Sequence, residues 1–312
     1  MSVLTSTPAA EGLREARCVD EAVVEGPRHL RRLAESAEAR PYTRFEVRPL
    51  GPLIGAEIHG VDLRAPISEE LRQELHRALL EFKVIFFRDQ PITSQRQQEI
   101  ARMWGDLETN PFIEQGEDAH IARFAKGGMP PSYENVWHTD VTWREKPALG
   151  AILRLVEVPP YGGDTMWADM AAAYDNLPTE VKERIDGAVA EHDVIPGFAR
   201  FLSEEKLREW QDRFPPVRHP VVRTHPETGR RTLFVNVSFT TRILGMDRGE
   251  SDDLLRYLFQ QAHVPEYQVR FHWERDSIAF WDNRATQHYA VNDYYPHRRV
   301  AERVAIVGDR PF

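Results

Sequence analysis

Near the C-terminus the chain offers four strand-like segments in close succession, 267–273, 277–281, 286–291 and 299–307, with no helical pattern between them. Further upstream, strands and helices alternate irregularly. Short apolar runs at 45–47 and 54–63 are punctuated by Gly51, Gly55 and Gly60, and a buried-strand run fills 84–87. Ser68 ahead of Leu71, Leu75 and Leu79 marks a helix, and Ser94 with Gln97 reads as a capping box for a second one. A strand is expected over 149–158, a turn over 159–164 leading into Thr165, helices near 169–187, 203–213 and 250–262, and a hairpin from 219–224 to 231–235. This order does not suit the regular strand–helix repeat of a parallel sheet. It points to a mainly β architecture, a sandwich or jelly roll, with flanking helices.

The 312 residues allow one large β domain or two smaller ones, and 41% hydrophobic with 29% charged residues describe an ordinary folded globule. Residues 1–42 lack a sustained apolar period, apart from a short helix pattern over 28–39, and are expected to form a loosely ordered or docked tail. Residues 43–312 then make one domain. No apolar run approaches the roughly 18–20 residues needed to cross a bilayer. The net charge of −9 disfavours a phosphate backbone as partner. One cysteine gives no internal disulfide and no thiolate zinc site, and no charged-then-apolar leader opens the sequence, so a cytoplasmic protein is expected. No Gly-x-Gly-x-x-Gly or Walker loop is present.

Twelve histidines beside a single cysteine direct any transition-metal site toward imidazole and carboxylate ligands. His138 and Asp140 stand two positions apart, so on an extended segment they project to one face. His288 offers a second imidazole. Two histidines and a carboxylate on one side of an iron leave positions open for substrate and oxygen. The same three ligands would also serve a Zn(II) hydrolase or a non-catalytic barrel that binds a metal or a small acid.

The surrounding sequence separates these readings. Trp137-His138-Thr139-Asp140-Val141-Thr142, Gly162-Gly163-Asp164-Thr165, the runs 219–226, 239–243 and 281–289, and the ending 308–312 resemble, in order from about Val47 to Phe312, the taurine dioxygenase family of Fe(II)/2-oxoglutarate-dependent oxygenases. The resemblance implies a double-stranded β-helix, or jelly-roll, core. It implies Fe(II) on His138, Asp140 and His288, and a cosubstrate 2-oxoglutarate whose distal carboxylate is held by Thr165 and Arg299. A guanidinium suits that task because its planar fork meets a carboxylate with two hydrogen bonds. Arg303, four positions on and so on the same strand face, matches the arginine that takes the anionic end of the substrate; a salt bridge to Glu302 or another acid is its competing role.

The reaction so implied uses O₂, converts 2-oxoglutarate to succinate and CO₂, and hydroxylates a C–H bond of a small anionic substrate. A taurine-like sulfonate or an alkyl sulfate would then release sulfite or sulfate. Asp140 argues against halogenation, for which family members lack this carboxylate. The substrate shell departs from the taurine pattern: Asn110 and Ile113 replace a histidine and a tyrosine, and Glu134 replaces a loop amide. Phe198 and Phe239 keep the aromatic wall. A carboxylate at Glu134 would attract an amine, which keeps open a tailoring hydroxylase of an amino-acid-like or other carboxylate metabolite. A zinc hydrolase has no use for Thr165 and Arg299, and a non-catalytic barrel has no need of all five residues. The resemblance also implies a homo-oligomer.

Overall fold

The computed structural model describes residues 27, 29–109, 119–126, 135–199 and 202–312. The first strands are β1 (Glu46–Pro49), β2 (Ala56–His59), β3 (Val84–Phe87), β4 (Ala122–Lys126), β5 (Ala148–Glu157) and β6 (Thr165–Asp169). The middle of the chain adds β7 (Val189–His192), β8 (Val217–Pro220), β9 (Val222–Thr224), β10 (Arg231–Leu233) and β11 (Thr240–Ile243). The closing set is β12 (Gln268–Phe271), β13 (Ile278–Asp282), β14 (Thr286–Ala290) and β15 (Arg299–Val307).

A seven-stranded sheet in the order β1-β2-β3-β13-β5-β15-β4 forms one wall, and β12-β6-β14 lies against it. All pairs in these two sheets are antiparallel except β2 with β3. This is a jelly-roll core. At its centre the large sheet is covered on both faces, so β3 is an unbroken apolar run with all four residues buried. Strand period two divides β3 and β13: Val84, Phe86, Ala279 and Trp281 face the barrel interior, while Ile85, Phe87, Ile278 and Phe280 pack in a second core with Leu75 and Leu79 of helix Glu69–Phe82 and Ile100 of helix Ser94–Ala101. Among the described residues no helix is long and apolar enough to cross a membrane.

Ser68 caps the first helix as expected, accepting a hydrogen bond from Leu71 N. The capping box at Ser94 is not formed. Thr93 is the cap, accepting from Arg96 N at 3.1 Å, and the Ser94 hydroxyl instead donates to Glu302 at 2.8 Å. The hairpin joins β9 to β10, while β8 belongs to a separate sheet with β7 and β11.

No helix forms over the described part of 28–39. Its backbone is used otherwise: the Arg32 carbonyl accepts from Lys83 Nζ at 3.2 Å and from Arg230 at 3.0 Å, and Arg77 donates to the Arg40 and Pro41 carbonyls. The segment is thereby seated on the domain.

Candidate active site

His138 and His288 are joined through their backbones before their side chains meet. Each donates its N–H to the other's carbonyl, at 3.1 and 2.8 Å, in an isolated antiparallel bridge. Residues paired in this way carry their side chains on one face, and the two imidazole centroids lie 4.2 Å apart. Two positions on, Asp140 reaches the same point: its Oδ1 is 3.8 Å from Nε2 of both histidines. The three ligand atoms lie within 4.8 Å of one another, and all three residues are buried.

The surrounding shell fixes this arrangement. His138 Nδ1–H donates to the Val136 carbonyl at 2.8 Å, which leaves the Nε2 lone pair toward Asp140. Thr139 is buried and donates to the Thr286 carbonyl at 2.9 Å. Asn283 clamps the Asp140 backbone from both sides, accepting from its N–H at 2.9 Å and donating to its carbonyl at 3.1 Å. The turn that carries Asn283 is held in turn by Asp282, whose carboxylate takes bonds from Arg284 and, at 2.9 Å, from His225. The sequence runs 219–226 and 281–289 are thus two halves of one support.

The electrostatics suit a metal centre. Burial works to raise the Asp140 carboxyl, but Arg303 and the two imidazoles outweigh it and hold it at about 2. Burial, with the neighbouring His138, pushes His288 down to about 3, so it is a neutral ligand at physiological pH. An anionic carboxylate and imidazoles with converging nitrogens fit the two-histidine, one-carboxylate iron site.

These residues open into a cavity of about 290 Å³. Arg299 and Arg303 of β15 both line it, whereas Glu302 between them points to the opposite face and binds Arg154 at 2.7 Å and Arg123 at 3.0 Å. Strand alternation has therefore separated Arg303 from its sequence neighbour. Arg303 meets Asp140 instead, with one Nη at 2.6 and 2.8 Å from the two carboxylate oxygens. Arg299 Nε donates to the Gly163 carbonyl at 3.0 Å. Gly163 has φ +70°, and a Cβ there would come within 3.1 Å of the Arg299 side chain, so glycine is needed both for the turn and for the approach.

Thr165 lines the same cavity. So do Phe198 and Phe239, whose rings stack at 6.3 Å, together with Phe124, Trp143 and Leu153. Eight of the ten residues singled out from the sequence thus share one cavity. Asn110 and Glu134, and Ile113 with them, lie outside the described residues. The sequence reading missed Asn283, and also Trp273, which donates to the Thr165 hydroxyl. Asn283 was within reach, because it sits in a quoted run five positions before a ligand.

The family model of the taurine catabolism dioxygenase TauD, TfdA family matches residues 46–305. The chain belongs to this family. It is an Fe(II)/2-oxoglutarate-dependent dioxygenase, with O₂ as the second cosubstrate. It is 36% identical over 288 residues to an alpha-ketoglutarate-dependent sulfate ester dioxygenase of Pseudomonas putida, covering 89% of this chain and 94% of that one. It is 34% identical over 277 residues to an alkylsulfatase of Acinetobacter baylyi, covering 86% and 87%. The crystal structure of a taurine dioxygenase from Burkholderia xenovorans superposes with a TM-score of 0.75 at 36% identity, covering 86% of this chain and 93% of that one.

Proposed function

We propose that this dioxygenase acts on alkyl sulfates, hydroxylating the carbon that bears the ester oxygen. The hydroxylated ester collapses to an aldehyde and sulfate, while 2-oxoglutarate and O₂ yield succinate and CO₂. The observation that carries the reading is the cavity lining. Arg303 supplies a cation beside the ligand set, much of the remaining lining is aromatic and aliphatic, and among the described lining residues Asp140 is the only carboxylate. The ammonium group of taurine or of an amino acid would be desolvated there without a counter-charge, at a cost of several kcal/mol. The names of the two relatives from Pseudomonas and Acinetobacter support the same substrate class.

In this reading His138, Asp140 and His288 hold Fe(II), which supplies the oxygen activation that no side chain offers. Thr165 and Arg299 hold the distal carboxylate of 2-oxoglutarate. Arg303 takes the sulfate head, and Phe198 and Phe239 flank the alkyl chain and exclude water. We also infer a single catalytic domain over 43–312, supported by the family match over 46–305, and a cytoplasmic homo-oligomer. Sedimentation at the mass of one chain would overturn the last point.

The test compares medium-chain alkyl sulfates with taurine and with the corresponding amine-free sulfonate. Alkyl sulfates should stimulate succinate formation with sulfate released in equal amount. Stimulation by taurine equal to that by alkyl sulfates would reject the reading and bring Glu134 forward as an amine partner. Arg303→Ala should lower the substrate-stimulated component about ten- to a hundredfold, the worth of a hydrogen bond to a charged group. The slow decarboxylation of 2-oxoglutarate without substrate should persist in this variant, and its loss would place Arg303 with the cosubstrate.

A further inference from the structure

Thr165 opens β6, is 3% exposed and lines the cavity. Its hydroxyl oxygen accepts a 2.9 Å hydrogen bond from the indole Nε1–H of Trp273. An indole nitrogen only donates, whereas a threonine hydroxyl has one proton and two lone pairs. The bond therefore occupies a lone pair and leaves the proton. No described residue accepts that proton.

We propose that Trp273 is a positioning residue for 2-oxoglutarate, turning the Thr165 hydroxyl from an ambivalent group into a donor directed at the cosubstrate carboxylate. A carboxylate only accepts, so a hydroxyl that rotates freely spends part of its time presenting lone pairs to it. The indole removes those orientations. Trp273 is itself immobilised: it is buried, its ring meets Phe271 edge-on at 5.0 Å, and Phe271 is the register partner of Thr165 across β12 and β6. Arg299 is fixed on the other side by its bond to the Gly163 carbonyl. Both groups assigned to the distal carboxylate are thus held by residues, Gly163 and Trp273, that do not themselves line the cavity. Trp273 carries no titratable proton, so its contribution should not vary with pH.

The inference rests on the reading that Thr165 holds 2-oxoglutarate, and the experiment separates the two. The dissociation constant of 2-oxoglutarate is measured by calorimetry on protein loaded with redox-inert Zn(II), so that no turnover enters. Thr165→Val should raise it roughly tenfold or more, as expected for a lost hydrogen bond to a charged group. Trp273→Phe, or replacement of its indole by the isosteric benzothiophene should the phenylalanine variant fold poorly, should raise it roughly three- to tenfold, with Zn(II) affinity and thermal midpoint of the benzothiophene protein unchanged. In the Thr165→Val background the same change at Trp273 should have less than about a twofold effect, because the group it orients is gone. Equal losses in both backgrounds would make Trp273 a packing residue and overturn the proposal. So would an unchanged constant for the benzothiophene protein. An unchanged constant in Thr165→Val would remove the underlying reading, and the inference with it.

Discussion

Asp140→Ala is expected to reduce succinate formation, with and without substrate, to background in protein supplied with excess Fe(II). Asp140 is the only anionic group among the three ligands, and the other two are imidazoles, of which His288 is held neutral by burial. Removing it also strands Arg303, whose Nη contacts both Asp140 oxygens, so a buried cation would face the metal site in place of a carboxylate. Changes in the shell around a metal ligand alone cost about 10–100-fold. Loss of a charged ligand should therefore exceed about 100-fold. Succinate assays paired with a metal titration check this: His138 and His288 should still bind some metal while turnover is absent. Full activity in the variant, or in protein stripped of metal, would sink the assignment of the three ligands.

Only part of the site was legible from local spacing. His138 and Asp140 are spaced for one face of an extended segment, and Arg299 and Arg303 for one face of a strand; the roles of these pairs, and of His288, 150 positions beyond His138, came from the family resemblance. The two-residue period of a strand takes Glu302 to the other side of β15, where it binds Ser94 and Arg154; that Asp140 is the acid meeting Arg303 is seen only in the fold. What stayed hidden are contacts between groups far apart in sequence. Nothing in the spacing says that Asn283 reaches the Asp140 backbone or that Trp273 reaches Thr165, because both depend on how β12, β13 and β14 are placed beside β6 and the ligand loop.

Two local expectations failed for a related reason. Thr93 and Ser94 are both capping residues, and the buried carboxylate of Glu302 draws Ser94 away from that role. The helix pattern over 28–39 yields because its carbonyls serve Lys83 and Arg230. Lys83 is buried against Asp169 at 3.1 Å and needs further acceptors, and the Arg32 carbonyl supplies one that a helix would have consumed internally.

Arg299→Gln is expected to raise the KM for 2-oxoglutarate about ten- to a hundredfold while Fe(II) affinity stays within about twofold of the parent. The guanidinium is buried in the cavity wall and is aimed by the Gly163 carbonyl, so its fork meets a carboxylate without further ordering of the side chain. A glutamine amide retains a donor but loses the charge and the second parallel hydrogen bond. Hydrogen bonds to charged groups are worth about 1.5–3 kcal/mol, which corresponds to one to two decades in affinity. Arg299→Lys separates the two contributions: it keeps the charge and loses the fork, and should fall between the parent and the glutamine variant. The bridge between His138 and His288 and the bonds of His138 to Val136 and of Asp140 to Asn283 do not involve Arg299, so they should survive the change. A KM unchanged in Arg299→Gln would mean that the cosubstrate carboxylate is held elsewhere in the cavity, and a parallel loss of metal affinity would mean that Arg299 supports the ligand loop instead.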